Sequence, residues 1–127
     1  MSATPAAGDW VGISFAGLTA PMSRMQYTRV EYAGGATATG SNSCPFVPPR
    51  TGPNDAAIRI FGTPGPLTQF ITDTEIVASR LDGIDRGWRD DVQPDFIATN
   101  TFTAIGGCKQ TTPRTTAGVC PAAPLCP

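Results

Sequence analysis

One degenerate sequence motif occurs three times in this chain with nearly constant internal spacing. Its copies begin at Gly12-Ile13-Ser14-Phe15, Ala57-Ile58-Arg59-Ile60 and Gly83-Ile84-Asp85-Arg86. In each copy the first isoleucine is followed after 12 or 13 residues by a second apolar anchor, and a third anchor comes five residues later. The second and third copies lie 26 residues apart. A repeat of this period predicts stacked coils, in which each copy buries its apolar face against its neighbours.

Stacking predicts which residues become vertical neighbours, because parallel strands lie about 4.8 Å apart. The predicted interior columns are apolar throughout: Ile13–Ile58–Ile84, Met25–Ile71–Ile97 and Val30–Ile76–Phe102. A polar column, Thr28–Thr74–Asn100, is predicted at a bend, where short side chains can bond the neighbouring backbone. On the outside the same register places Arg29 above Glu75 and Arg59 above Asp85, two pairs of opposite charge.

Composition agrees with an all-β chain of one domain. The 127 residues include 14 Gly and 13 Pro, which oppose long helices. We expect the coils to span residues 9–107 and the Gly/Pro-rich stretch 35–54 to be a loop insertion between the first two copies. Residues 108–127 carry no copy of the repeat and are predicted to form an irregular strap.

Four cysteines in a short Gly/Pro-rich chain predict two disulfides and an oxidising compartment. They are Cys44, Cys108, Cys120 and Cys126. Four cysteines permit three pairings. We expect one bond within the C-terminal region and a second that ties the loop of Cys44 to it, worth about 2–4 kcal/mol.

The location expected from these disulfides is the secreted fraction, the cell surface or the periplasm. Because residues 1–8 lack the features of a secretory signal, we expect the chain to be the C-terminal part of a longer protein. Its first coil would present an open strand edge near Trp10, and such an edge is a template for pairing. Upstream coils or a second copy of the chain are therefore the expected occupants of that edge.

Several classes of function are disfavoured by the sequence. Nucleic-acid binding is not expected, because a formal charge of −1 provides no excess of positive charge to attract phosphate groups. Membrane insertion is not expected, because no apolar run approaches the roughly 20 residues of a spanning helix. The chain contains no histidine, which excludes the Ser-His-Asp and Cys-His arrangements and argues against a zinc site. We expect no resident metal or cofactor, with calcium as the one ion that clustered Asp residues could hold.

Three stretches resemble a known family. They are Trp10-Val11-Gly12-Ile13-Ser14-Phe15 with Arg29-Val30-Glu31-Tyr32-Ala33-Gly34-Gly35, Ile71-Thr72-Asp73-Thr74-Glu75-Ile76 running on to Gly83-Ile84, and Ile97-Ala98-Thr99-Asn100-Thr101-Phe102. These resemble repeats of the pectate-lyase-like superfamily, and within it secreted bacterial β-helix-repeat proteins. The resemblance implies a right-handed parallel β-helix, an all-β solenoid of about three coils with the disulfide-strapped tail at its end. It does not fix an activity, since that superfamily holds lyases, hydrolases, adhesins and inert scaffolds.

The densest polar region, residues 80–95, supplies the candidate site. Its candidate catalytic residues are Asp85, Arg86, Arg89, Asp90 and Asp91. Paired carboxylates can act as acid and base in glycoside hydrolysis. Trp88, with Trp10, could provide an aromatic platform for a sugar ring. The alternative is that the charges are solvated turn residues and that both tryptophans pack against the core.

Two functions follow from these alternatives. The first is a non-catalytic structural or surface-binding module, with a polysaccharide as the possible partner. The second is the terminal part of a polysaccharide lyase or glycoside hydrolase that acts through Asp and Arg residues on its outer face. A hydrolase requires two carboxylates in one groove, about 5–9.5 Å apart. A mineral- or ice-binding face would need regular outward ranks of threonine, which Thr72, Thr101 and Thr103 do not form.

Overall fold

A computed structural model describes residues 4–16, 23–37, 43–44, 55–62, 68–89 and 94–120. Over these ranges the chain is all-β, as predicted. Its strands are β1 (Ile13–Phe15), β2 (Met25–Gln26), β3 (Arg29–Glu31), β4 (Ala56–Gly62), β5 (Ile71–Thr72), β6 (Glu75–Val77), β7 (Asp82–Trp88) and β8 (Thr101–Thr103). They form three parallel sheets, ordered β1–β4–β7, β2–β5 and β3–β6–β8. Among the described residues no helix is long and apolar enough to cross a membrane.

The strand register confirms the predicted stacking. Ile13 pairs with Ile58 and Ile58 with Ile84, so the first predicted column is intact. The column Val30–Ile76–Phe102 is confirmed in the third sheet, and Met25 pairs with Ile71 in the second. Each copy of the repeat thus contributes one strand to each sheet in turn, up to the last copy.

The last copy departs from the pattern at Ile97, which lies in a turn and not in a strand. The Asp95 carboxylate accepts a hydrogen bond of 2.8 Å from the Ile97 backbone N–H. A carboxylate that bonds the backbone two residues on stabilises a turn in place of a ladder. Ile97, the predicted third member of the Met25–Ile71 column, therefore does not extend the sheet of β2 and β5.

Corners between sheets are built by single residues with left-handed backbone. Positive φ values recur at equivalent positions of successive copies: Tyr27 (52°) and Asp73 (48°) at one corner, and Tyr32 (62°), Ala78 (53°) and Ala104 (56°) at the next. Left-handed geometry costs a residue with a Cβ about 1–3 kcal/mol. Its recurrence indicates that the ladders on both sides impose the bend.

The predicted polar column at the first corner is also confirmed. Asn100 accepts a hydrogen bond of 3.0 Å from the Thr74 backbone N–H. Its Nδ2 donates to the carbonyl oxygens of Ile71 and Phe96, at 2.9 and 2.8 Å. Thr28 and Thr74 each donate a hydroxyl hydrogen bond to the carbonyl oxygen two residues earlier. The backbone groups freed by the corner are in this way satisfied by side chains.

The core lies between the sheets and contains a chain of aromatic rings that the repeat pattern did not predict. Buried members of the core are Val30, Ala33, Ala57, Ile58, Ile60, Phe70, Ile71, Ile76, Ile84, Trp88 and Phe96. Phe15, Phe70 and Phe96 meet edge to face, with ring centroids 5.0 and 5.9 Å apart. Edge-to-face pairs add about 0.5–1.5 kcal/mol each beyond their burial.

The C-terminal segment meets β7 through isolated bridges and forms no strand in residues 104–120. Gln110 forms a parallel bridge with Ile84, and Arg114 forms one with Arg89. The segment therefore runs beside β7, 26 and 25 residues after these two partners. Gly83 permits the approach, because a Cβ there would lie 2.5 Å from the Lys109 carbonyl oxygen.

A disulfide closes the C-terminal segment onto the loop insertion. Cys44 and Cys120 are bonded, with their Cα atoms 5.7 Å apart. This confirms the expected tie between the loop of Cys44 and the tail. Cys108 is disulfide-bonded too, and Cys126 lies outside the described residues.

Candidate functional site

Asp85, the first candidate catalytic carboxylate, is fully buried on β7. Its Oδ1 accepts a hydrogen bond of 3.1 Å from the Thr111 hydroxyl, and its Oδ2 lies 4.0 Å from Nε of Arg59. Arg59 is buried as well. Arg59 and Asp85 pair in the predicted register. The prediction that they lie on the outside of the fold is wrong. The segment that carries Thr111 lies along β7 and shields the carboxylate from solvent.

Arg86 is 6% exposed and links three segments. It pairs with Ile60 in the sheet, at a position that is aliphatic in the preceding copy. Its Nε donates to the Thr111 carbonyl oxygen at 2.6 Å, and Nη1 donates to that of Pro94 at 3.1 Å. Burial lowers the pKa of Arg86 to about 10, an effect that the charge of Asp95 partly offsets. The side chain is thus committed to holding neighbouring backbone in place.

Trp88, the candidate sugar platform, belongs to the core. Its ring packs edge to face against Phe96, with centroids 6.3 Å apart and an interplanar angle of 79°. The side chain is fully buried. In this conformation the indole face is not presented to a ligand, in agreement with the packing alternative.

Trp10 is 42% exposed and bonds the edge of β3. Its Nε1 donates a hydrogen bond of 2.8 Å to the carbonyl oxygen of Glu31. Thr28 and Tyr32 bond the neighbouring strand β6 through their backbone, so Glu31, between them in alternation, directs its backbone groups to the opposite side. Trp10 therefore covers one carbonyl of the strand edge that was expected to be open.

Of the three remaining candidates, the structure describes Arg89. Arg89 is exposed and forms the backbone bridge to Arg114. Asp90 and Asp91 lie outside the described residues. Within the described part of the chain, the candidate catalytic residues accordingly do not form an open groove.

A groove that the sequence did not single out lies on the outer face of β2 and β5. It has a volume of about 320 Å³ and is lined by Ser23, Arg24, Gln26, Thr68, Gln69, Phe70 and Thr72. We call it the β2–β5 groove. Gln26 and Thr72 come from equivalent positions of two copies and are joined by a hydrogen bond of 2.9 Å. Outward polar residues in one column were the available signal in the sequence.

The described residues that line the β2–β5 groove offer hydroxyl, amide and guanidinium groups and no carboxylate. Arg24 is the charged residue among them. Tyr27, which follows Gln26 at the corner, is 84% exposed and has a left-handed backbone. Donors and acceptors of hydrogen bonds beside an exposed aromatic ring are suited to a polyhydroxylated ligand.

A second depression, of about 300 Å³, lies at the corner between β5 and β6. Its lining residues are Asp73, Thr74, Glu75, Ala98, Thr99, Asn100 and Thr101. Glu75 accepts a hydrogen bond of 2.8 Å from Arg29, the surface pair predicted from the register. Hydrogen bonds and charge from Glu31 first, and then from Glu75, raise the pKa of Arg29. In the described ranges no group of three or more Cys, Asp and Glu residues is placed to hold a metal ion.

No protein-family model, curated protein or solved structure gives a significant match to this chain.

Proposed function

We propose that this chain is a non-catalytic module of an extracytoplasmic protein, and that its three sheets are the faces of a right-handed parallel β-helix of about three coils. The parallel pairing of residues one repeat apart supports this architecture. Crossover connections between parallel strands are nearly always right-handed, which supports the handedness. The likeness of its repeats to the pectate-lyase-like superfamily is part of the same proposal.

The function proposed is binding of a polysaccharide in the β2–β5 groove. The observation that carries it is the groove itself, lined by Arg24, Gln26, Gln69 and Thr72 at the surface of two stacked copies. Stacked copies present equivalent side chains at a regular spacing, which suits an extended ligand with its own repeat. By contrast, Asp85 and Arg86 are buried and hydrogen-bonded to protein groups, which favours the non-catalytic role over the enzyme.

An extracytoplasmic location fits the covalent structure. The Cys44–Cys120 bond persists in oxidising compartments and is rare where thiols are kept reduced. The location is proposed on this ground together with the low content of charged residues in a short, Gly- and Pro-rich chain.

The experiment is a binding titration of the purified chain against a panel of soluble neutral and acidic polysaccharides, followed by calorimetry. Gln26→Ala and Arg24→Ala should each weaken binding at least fivefold, because each removes hydrogen-bonding groups from the groove. Thr103→Ala, on the exposed face of β8, is the matched control and should bind as the parent does. Absence of binding across the panel, or equal binding by the groove variants, would refute the proposal.

The same samples distinguish binding from catalysis. Polysaccharide that remains intact after prolonged incubation agrees with a non-catalytic module. Release of reducing ends or of unsaturated sugars, abolished by Asp90→Asn or Asp91→Asn, would instead establish the enzyme alternative.

A further inference from the structure

The segment of residues 108–120 is held against β7 mainly by polar contacts. The backbone N–H groups of Gly83 and Ile84 donate to the carbonyl oxygens of Cys108 and Lys109, at 2.8 and 2.9 Å. In return the Thr111 N–H donates to the Ile84 carbonyl oxygen at 3.0 Å. Each such bond contributes only about 0.5–1.5 kcal/mol net, since water can replace it.

Cys108 and Pro113 are the buried apolar residues in the described part of the segment, and neither belongs to the main core cluster. The hydrophobic core takes all its buried members from residues 30–96. Gln110 and Thr111 are the segment's buried polar side chains, and Val119 is 60% exposed. The coils, in contrast, are held by continuous columns of isoleucine, valine and phenylalanine. Loss of the segment would therefore leave the main source of hydrophobic stabilisation in place.

The Cys44–Cys120 bond lies at the end of the segment away from Cys108, which is disulfide-bonded as well. Cys120 is bonded to Cys44, 76 residues earlier in the chain. Beside the bond, the Cys44 N–H donates to the Thr112 carbonyl oxygen at 2.8 Å and forms an antiparallel bridge. Cross-linking residues so distant in sequence strongly restricts the opened state of the segment.

We propose that the Cys44–Cys120 disulfide is a redox latch: its reduction releases the C-terminal segment from β7 while the coils stay folded. The proposal is independent of polysaccharide binding. Release uncovers the β7 edge, frees Arg86 from the Thr111 carbonyl and admits water to Asp85. Asp85 and Arg86, which are buried beneath the segment, are thereby accessible to solvent only in the reduced protein.

An external dithiol is the reductant. Its thiolate attacks Sγ of Cys120, which is more exposed than the buried Cys44, and the Cys44 thiolate leaves. The second thiol of the reductant then displaces Cys120 and forms the cyclic disulfide of the reagent. Two electrons and two protons pass to the protein, which ends with two thiols.

Hydrogen exchange read by mass spectrometry or NMR tests the latch. In Cys44→Ser/Cys120→Ser, the amides of Gly83 and Ile84 should exchange at least tenfold faster, because their acceptors lie on the released segment. The amides of Tyr32 and Ala78, which donate to Val77 and Thr103, should keep their protection. Cys108→Ser/Cys126→Ser, which retains the latch, is the control and should exchange at Gly83 and Ile84 as the parent does.

Exchange of the folded Cys108→Ser/Cys126→Ser variant after a short pulse of dithiol provides the same readout, because the Cys44–Cys120 bond is then the disulfide that the dithiol reduces. Unchanged protection of Gly83 and Ile84 after reduction would overturn the proposal, because the segment would then be held without its latch. Equal acceleration at all four amides would overturn it as well, because the bond would then support the entire fold.

Discussion

Gln110 takes the place, one repeat further along the chain, that Ile84 holds in the preceding copy, and the two residues pair as a parallel bridge. Its carboxamide is buried and accepts a hydrogen bond of 3.0 Å from the Phe96 backbone N–H. Its Nε2 donates to the Asp95 carboxylate, also at 3.0 Å. A column that is aliphatic through Ile13, Ile58 and Ile84 thus continues into an amide, which satisfies the buried backbone N–H of Phe96.

Gln110→Ala should therefore destabilise the protein although it removes no apolar contact of the core. It leaves the buried Phe96 N–H without its acceptor, a loss of about 1–3 kcal/mol. Urea denaturation followed by circular dichroism measures the difference in unfolding free energy. Lys109→Ala is the adjacent exposed control, with an expected change within about 0.5 kcal/mol. Equal stability of the two variants would show that the hydrogen bond between Gln110 and the Phe96 N–H does not stabilise the fold.

Position within the stack should decide the cost of truncating an isoleucine. Ile58 is fully buried between two neighbouring strands, whereas Ile13, its partner on β1, is partly exposed. Ile58→Ala is expected to cost about 2–5 kcal/mol, since it opens a cavity in the core. Ile13→Ala should cost clearly less, because β1 is an edge strand among the described residues and pairs with β4 on one side. The same denaturation measurement compares them, and a larger loss at Ile13 would contradict the stacking order.

Much of this fold could be predicted because apolar residues occupy the equivalent positions of each copy of the repeat. The pairs Ile13–Ile58, Ile58–Ile84 and Ile76–Phe102 follow from spacing alone, and the register then fixes Arg29 opposite Glu75. The parallel course of the tail could not be predicted in that way. Its interior position is Gln110, and a polar residue gives no signal in a search for apolar columns.

The candidate site was predicted less well, because sequence identifies charge but not burial. Asp85 and Arg86 belong to a charged stretch that is typical of a solvated turn, yet the C-terminal segment covers them. The position of this segment over Asp85 and Arg86 depends on the Cys44–Cys120 bond and on the Thr111 hydroxyl. Both are remote in sequence from the charged stretch. The β2–β5 groove was not predicted for a related reason. Gln26 and Thr72 are ordinary polar residues in the sequence, and they form a groove only because the fold places them side by side.

Two ion pairs with the same register should differ in strength because they differ in burial. Arg29 and Glu75 are exposed, so a double-mutant cycle on them should give a small coupling that disappears in high salt. Arg59 and Asp85 are buried. Arg59→Met should cost about 3–5 kcal/mol, because it leaves the Asp85 charge in the interior.

The double variant Arg59→Met/Asp85→Asn is the control for the buried pair. It removes both charges and keeps an oxygen that can accept from Thr111, so it should be more stable than Arg59→Met alone. Denaturant midpoints of the parent, Arg59→Met, Asp85→Asn and the double variant measure the coupling. A double variant no more stable than the single one would mean that charge burial is not the source of the loss.

Arg86 should make the protein more stable as pH rises through the alkaline range. Burial lowers its pKa in the fold to about 10, well below the ordinary value for arginine. Below the lower value both folded and unfolded chains carry the proton, and the cost of the buried charge is constant. Between the two values the folded chain has released the proton while the unfolded chain retains it, so folding stability from this group increases with pH.

The comparison of the parent with Arg86→Met isolates that contribution, because the two proteins differ at Arg86 alone. The difference in unfolding free energy should change in favour of the parent by about 1 kcal/mol between pH values of about 9 and about 11. Denaturant unfolding at each pH, without reductant, supplies the values. A difference that stays constant would show that Arg86 keeps its proton inside the fold, and that its bonds to Thr111 and Pro94 outweigh the penalty of burial.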